Sequence, residues 1–330
     1  MQRSIVLAGG EGERTRPFIE RWLGSHRPKQ YCRFVGRRTM FQHTVDRADR
    51  LSPGVHRFSV VSEGHRSLVR AQLAGRPSGR LLWQPQNRGT GAGILWPISC
   101  LMRKHPDDIV VIYPSDHFIR PESSFLSVVS DAVERVAANV DRVVLLGAKP
   151  NRLELDYGWI QPDGEERAFG SRSIRSVHRF LEKPSEAEAR TALADGALWN
   201  TLIVIGAVRT FWQLGRYCMP ETMELLDWLG SETGSPQEPE LTQRIYASLP
   251  DGNFSSDVLE KAPEFLEVME LSGIEWSDWG RPERIAESIQ SLGRKPAFPL
   301  GLVPDFHQPE VLRPAGHFAQ SAILSSPGIG

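Results

Sequence analysis

The sequence predicts an α/β protein built on a doubly wound, mostly parallel sheet, followed by an irregular C-terminal segment. Three observations carry this. Short apolar runs alternate with amphipathic helical segments from Ile5 to Leu146, the pattern of strand–helix crossovers. The first run, Ile5-Val-Leu-Ala8, opens directly into a glycine-dense turn. The clearest β run, Ile109-Val-Val-Ile-Tyr113, ends in Pro114-Ser-Asp-His117, with a carboxylate just past the strand. Ligands of open α/β sheets bind beyond the carboxyl ends of the strands, so the turn and Asp116 are expected on one rim.

The elements follow in order. Ile5–Ala8 reads as a buried strand and Met40–Leu51 as an amphipathic helix; Pro17 is expected to restrict a helix just after the glycines. Phe58–Val61 is the next strand, Gly64–Leu73 a helix, Leu81–Trp83 a strand and Gly91–Arg103 a helix. Ser123–Ala137 carries Phe125, Val129, Ala132, Val133 and Val136 on one helical face, and Val143–Leu146 is a strand. Beyond Lys149 the pattern is mixed. Tyr157–Ile160, Val177–Glu182 and Leu202–Ile205 read as strands, Ser185–Ala194 and Arg209–Tyr217 as helices, and Gly230–Glu240 as a loop. The Pro/Gly-rich tail beyond Gly293 has no periodicity; it is expected to wrap the core, reach a partner subunit or stay partly mobile.

A chain of 330 residues buries a substantial core. Its net charge of -1 argues against nonspecific nucleic-acid binding. The charge is uneven: residues 1–50 hold 11 Lys/Arg against 5 Asp/Glu, and residues 221–290 hold 4 against 16. A basic first segment suits an anionic ligand at the glycine turn, whereas the acidic stretch reads as solvated helix faces. The three cysteines, Cys32, Cys100 and Cys218, are too widely spaced for a metal pattern or a disulfide framework, which points to a reducing cytoplasm. No apolar run approaches membrane-spanning length, and no room for a signal peptide is expected before the first strand.

The turn itself, Ala8-Gly-Gly-Glu-Gly-Glu-Arg-Thr-Arg16, has the chemistry of a polyphosphate cradle. Gly9, Gly10 and Gly12 let backbone N–H groups approach phosphate oxygens, and Arg14 and Lys29 add cationic charge. No Gly-Lys-Ser/Thr follows, so it is not a Walker-type loop, and the spacing is wrong for a dinucleotide-binding turn. By itself, an ordinary strand-to-loop turn would account for it.

Leu7-Ala-Gly-Gly-Glu-Gly-Glu-Arg14 together with Pro28-Lys-Gln30 resembles the signature of sugar-phosphate nucleotidyltransferases, in the form of the mannose-1-phosphate guanylyltransferase branch. The likeness recurs in order from about Ile5 to Gly280. It implies a Rossmann-like nucleotidyltransferase fold over residues 1–293, with a nucleotide half to about 148, a sugar-phosphate half from 149, and a 294–330 tail. It further implies a cytoplasmic enzyme joining GTP and mannose 1-phosphate, with Mg²⁺ as cofactor and a homo-oligomer as one possible assembly. Such a transfer needs no protein nucleophile, so cations, positioning and a metal supply the catalysis.

Residue by residue, the likeness gives Arg14, Lys29, Asp116 and Asp278 the catalytic roles. Asp116 matches the metal-binding Pro-Ala-Asp-His element, and Asp278, in Trp276-Ser-Asp-Trp-Gly280, matches the second metal ligand, with Trp279 in place of a smaller residue. Ala8, Gly9, Gly10, Gly12 and Thr90 fall to the nucleotide. Gly158 in Tyr157-Gly-Trp-Ile160, Glu182 and Lys183 in Phe180-Leu-Glu-Lys-Pro184, Asn200 in Trp199-Asn-Thr201, and Lys261 fall to the sugar phosphate. Three departures stand out: Leu202 replaces a usual glycine, Gly91 and Gly93 make the base loop more permissive, and Gly24-Ser-His26 lengthens the spacer before Lys29. They leave open another base or sugar. A catalytically silent sugar-nucleotide sensor is the reading from another class. A fused zinc isomerase domain is not expected.

Overall fold

The computed structural model describes residues 1–304. Its strands are β1 (Gln2–Ala8), β2 (Arg57–Ser62), β3 (Arg80–Gln84), β4 (Ile109–Pro114), β5 (Phe118–Arg120), β6 (Val143–Ala148), β7 (Gly158–Pro162), β8 (Arg167–Phe169), β9 (Arg172–Glu182), β10 (Leu198–Ala207), β11 (Leu266–Glu270) and β12 (Glu275–Ser277). The helices are α1 (Arg16–Leu23), α2 (Met40–Leu51), α3 (Arg66–Leu73), α4 (Gly89–Met102), α5 (Glu122–Ala138), α6 (Glu186–Ala194), α7 (Val208–Cys218), α8 (Pro220–Ser231), α9 (Glu238–Ser248) and α10 (Pro282–Ser291).

The main sheet runs β3-β2-β1-β4-β10-β6-β11-β9-β7. Its first four strands are all parallel. Strictly alternating side chains bury both faces: Ile5 and Ile112 lie in the core on one side, Val6 and Val111 in the core on the other. The expectation of a mostly parallel sheet fails in the second half. β10 runs antiparallel to both β4 and β6, β9 is antiparallel to β11, and β7 pairs antiparallel with both β9 and β10. The sheet is therefore mixed and curls toward a barrel. The physical reason lies in the connections: β8 and β9 pair as a hairpin with Gly170 in the left-handed conformation (φ 58°), and short connections reverse the chain where crossover helices would not.

Local chemistry sets several boundaries. Thr39 caps α2 with a reciprocal Gln42 capping box, and Ser185 with Glu188 does the same for α6. Pro17 does not prevent a helix: it sits in the first turn of α1, where no amide donor is needed. The expected 230–240 loop is shorter, since α8 runs to Ser231 and α9 starts at Glu238 with acids in its first turn. Gly24, left-handed at φ 72°, ends α1 and leads into the expected extra loop before Lys29.

The first part of the tail wraps the core. The Ala297 N–H donates to the Phe34 carbonyl at 2.8 Å, and Phe298 packs edge-on against Phe18 at 5.0 Å. The remaining tail residues, 305–330, lie outside the described residues, as does any contact they make with a partner subunit.

Candidate functional site

The glycine turn is held in shape from behind. Gln30 donates from Nε2 to the carbonyls of Ala8 (3.1 Å) and Gly10 (2.7 Å), and the Tyr31 hydroxyl donates to Ala8 at 3.1 Å. Gly12 is left-handed (φ 68°), and a Cβ there would stand 3.1 Å from the Lys29 amide nitrogen. The loop and the Pro28–Tyr31 segment thus fit together only with glycine at this point. In front of the turn lies a cavity of about 330 Å³, lined by Ala8, Gly9, Gly10, Gly12, Gln84, Asn87, Thr90, Asp116 and Leu202 among others. Five residues expected at the nucleotide therefore share one cavity with Asp116.

Asp116 and Asp278 are far apart in sequence, and a two-strand sheet brings them together. β5 follows Asp116 and β12 precedes Asp278, with Phe118 paired to Ser277. Lys29, buried at 4% exposure, bridges them: its Nζ donates to the Asp278 carbonyl and lies 3.0 Å from Asp116 Oδ2. The surroundings of the two carboxylates differ. Asp116 is partly exposed, and its other oxygen faces His117 Nε2 at 3.7 Å. Burial pushes its carboxyl up, but Lys29 and His117 outweigh this and hold it below the ordinary range.

Asp278 is buried, and its Oδ1 is fully engaged. Its Oδ1 accepts from the Tyr157 hydroxyl (2.6 Å), Arg284 (2.8 Å) and the Gly280 N–H (2.9 Å), and its Oδ2 accepts from Arg14 at 2.9 Å. Burial again acts upward, and Lys29, Tyr157, Gly280 and Arg14 together hold the group low. Arg284 also pairs with buried Glu154, and burial brings its guanidinium down to about 10. None of the short sequence motifs singles out Glu154 or Arg284. The available signal was a basic residue standing in an otherwise acidic stretch.

The residues expected at the sugar come together where β7, β9 and β10 meet. Gly158 pairs with Glu182, and a Cβ on Gly158 would lie 2.9 Å from Glu182 Oε2 and 3.2 Å from Asn200 Cβ. Three expected residues thus converge, with glycine required by the close approach. Burial raises the Glu182 carboxyl, partly offset by the 3.1 Å hydrogen bond from Asn253 Nδ2. Asn253 also accepts from the Thr90 hydroxyl at 3.3 Å, so it links the two sides of the site. Sequence reasoning missed this residue, which sits in a loop with no motif of its own.

Other expectations land less centrally. The Thr90 hydroxyl also accepts from the Phe254 N–H at 2.9 Å, so it ties α4 to the 253–254 segment. Gly91 and Gly93 are no permissive loop: both lie in α4, where Gly252 and Met219 crowd Gly91 and Leu7 and Gln84 stand at ordinary contact distance from Gly93. Arg14 is half-exposed and turned to Asp278 and Asp156, outside the cavity lining. Lys183 is exposed and holds a left-handed backbone (φ 48°), and Lys261 is exposed, 3.9 Å from Asp257. Neither lysine lines the cavity.

The donor set decides how a metal would fit. Among the described residues no group of three or more His, Cys, Asp or Glu side chains could hold an ion. Asp116 fits a hard cation, being partly exposed at the cavity with oxygen ligands to offer. Asp278 fits only on one side: its Oδ2 is held by half-exposed Arg14, whereas its Oδ1 is committed to Tyr157 and Arg284. Burial lowers the His117 imidazole, which stands beside Asp116.

The model of the nucleotidyl transferase family matches residues 3–294. The xanthan biosynthesis protein XanB of Xanthomonas campestris pv. campestris is 28% identical over 84% of this chain and 57% of its own length. An Escherichia coli mannose-1-phosphate guanylyltransferase is 25% identical over 88% of this chain and 61% of its own. This chain thus spans little more than half the length of these curated relatives. A Thermus thermophilus crystal structure described as a mannose-1-phosphate geranyltransferase superposes with a TM-score of 0.71 at 27% identity, over 86% of this chain and 79% of that one. A UDP-glucose pyrophosphorylase complexed with UDP-glucose matches at 0.55 and 15% identity, over 89% and 98%, which speaks to the fold alone. With its family model matched across nearly the whole described length, the chain belongs to the nucleotidyl transferase family, a family of enzymes.

Proposed function

We propose that this protein joins a nucleoside triphosphate to a sugar 1-phosphate, and that the pair is GTP and mannose 1-phosphate, giving GDP-mannose and pyrophosphate. One observation carries the reading. The glycine-turn cavity, the Lys29-bridged carboxylates and the Gly158–Glu182–Asn200 cluster are joined through Asp116 and Asn253 into one site. A phosphate oxygen of the sugar phosphate attacks the α-phosphorus, the bond to the β-phosphate oxygen breaks, and pyrophosphate leaves. The glycine turn orients the triphosphate, and Lys29 and Arg14 offset the repulsion between the two anions. Asp116, with Oδ2 of Asp278, would hold Mg²⁺, which adds charge stabilisation at the phosphoryl oxygens. Glu182 and Asn200 would orient the sugar hydroxyls, with Lys183 and Lys261 meeting its phosphate. Residues to about 148 would serve the nucleotide and 149–293 the sugar phosphate.

The names of the relatives, which include xanthan and alginate biosynthesis proteins, support a role in GDP-mannose supply for polysaccharide synthesis. We place that role in the cytoplasm; no helix among the described residues is long and apolar enough to cross a membrane. The test is an assay of purified protein with Mg²⁺, each NTP and several sugar 1-phosphates. GDP-mannose from GTP and mannose 1-phosphate is expected to dominate, and Asp116→Ala is expected to lower turnover about 10³-fold or more, as loss of metal and charge stabilisation does. Absence of GDP-mannose from every GTP mixture would reject the substrate pair. Leu202 and Gly93 in the cavity wall favour one second reading, the same chemistry on another base or sugar.

A further inference from the structure

A second cavity, of about 590 Å³, is lined from α2, β5 and the stretch after α10, and it shares His117 with the glycine-turn cavity. Its wall carries six arginines, Arg37, Arg38, Arg47, Arg50, Arg120 and Arg294, against two carboxylates, Asp46 and Glu122. Both carboxylates are engaged: Arg47 holds Glu122 at two points, each 3.0 Å, and Arg38 and Arg76 share Asp46. Arg37, Arg50, Arg120 and Arg294 are exposed and have no acidic partner among the described residues. The arginine fields overlap inside the cavity. Burial and then Arg47 push the His43 imidazole in this wall below its ordinary value, and Arg38 and Arg294 add to the push against Glu122. Lone exposed arginines are ordinary, but several around one concavity focus a positive potential that favours an anion. The rest of the wall is largely apolar, with Phe34, Met40, Trp279 and Leu292. Size and lining are those of a small-molecule site.

The wall shared with the catalytic carboxylates carries two further irregularities, both at one residue. Trp279, next to Asp278, stacks on Phe118, two residues past Asp116, with centroids 5.0 Å apart and rings 9° from parallel. Its backbone is left-handed at φ 47°, which a bulky side chain disfavours. Its indole Nε1 is buried without a hydrogen-bond partner. An acceptor oxygen in the cavity would satisfy that donor after a small turn of the ring, and the turn would be felt at Asp278.

We propose that this cavity is a second ligand site, for a phosphate monoester with an apolar body, and that its occupant lowers turnover at the neighbouring aspartates. The phosphate sits among Arg37, Arg50, Arg120 and Arg294, whose planar forks suit its oxygens. The apolar body covers Phe34, Met40 and Leu292. Drawing Trp279 out of its stack loosens the β5–β12 pair that sets Asp116 beside Asp278. The binding stands on this cavity alone, whereas the effect on turnover rests on the nucleotidyl transfer proposed above.

Phenyl phosphate is the probe, titrated by calorimetry into protein saturated with Mg²⁺ and the NTP that the product assay selects. Inorganic phosphate and phenol serve as arms that each lack one half of it. Phenyl phosphate is expected to bind with the NTP in place, at least about tenfold more tightly than either arm. Arg50→Glu with Arg294→Glu is expected to weaken it about tenfold or more, the scale of a lost charge-assisted hydrogen bond, and to leave NTP affinity unchanged. Thermal melts check the fold of this variant, and Arg50→Gln with Arg294→Gln replaces it if charge reversal unfolds the chain. With both substrates saturating, the probe is expected to lower wild-type kcat about fivefold or more, and to lose that effect in the double variant. Displacement of the probe by the NTP, or equal affinity in the double variant or for inorganic phosphate, overturns the proposal. Binding with unchanged turnover overturns the effector role. If no NTP and sugar phosphate yield product, the nucleotidyl reading fails, while the double-variant titration still decides the site.

Discussion

The end of the site proposed for the phosphates is built from paired charges, and the end proposed for the sugar from a carboxylate held by an amide. At the first, Asp116 and Asp278 stand among Lys29, Arg14 and Arg284, and both carboxyls are held below their ordinary range. At the second, Glu182 has an amide, Asn253, as its hydrogen-bond partner, and burial raises it. The contrast follows from what each end would meet. Phosphates carry charge that needs cations already in place, whereas sugar hydroxyls need an acceptor, which Glu182 would supply.

The contrast is most easily broken at Asp278. Removing it leaves Arg284 short of a partner in a buried network, and truncating one member of such a network costs about 3–5 kcal/mol. Asp278→Ala is therefore expected to lose about that much stability to chemical denaturation, whereas Asp116→Ala, which leaves Lys29 its hydrogen bond to the Asp278 carbonyl, is expected to lose less. Equal losses for the two would erase the distinction drawn between them.

A smaller effect is expected at Gly158→Ala. The new methyl meets Glu182 Oε2 at 2.9 Å and Phe180 Cζ at 3.0 Å, so the sugar end must shift while the glycine turn stays. Steady-state kinetics should show KM for the sugar phosphate rising about tenfold, by the scale of one misplaced methyl group, with KM for the nucleotide unchanged. A parallel rise in both would mean that the ends are not separable.

The smallest effect is in pH dependence. A raised Glu182 accepts sugar hydroxyls best once ionised, so KM for the sugar phosphate should fall by a few-fold as pH rises through that raised value. Glu182→Gln should lack this limb, and its persistence in the variant would assign it to the substrate phosphate. The phosphate end behaves oppositely. With depressed carboxyls, its contribution to stability is intact above the ordinary carboxylate range and fades only as pH falls through the lower folded values.

Much of this was legible in the chain. Helix Met40–Leu51 matches its apolar pattern end to end, and β4 and the glycine turn lie where period and composition put them. What escaped was non-local or overridden. β11 and β12 lie in the acidic stretch, where the charge suggests only solvated helix faces. β10 reads correctly as a strand, but its antiparallel course depends on partners that no local period encodes.

The sequence by itself determined the pieces: a glycine-dense turn after β1, a carboxylate after β4, and glycine where strands crowd. These are local properties of Cβ sterics, charge and side-chain period, read within a few residues. The tertiary structure decided which pieces meet. The pairing of β5 with β12 sets Asp116 beside Asp278, Lys29 bridges them, and Arg284 with Glu154 fixes the second carboxylate. Gln30 braces the turn and Asn253 joins the two ends. Most of these contacts join residues far apart along the chain, and only the closed sheet brings such residues within hydrogen-bonding distance.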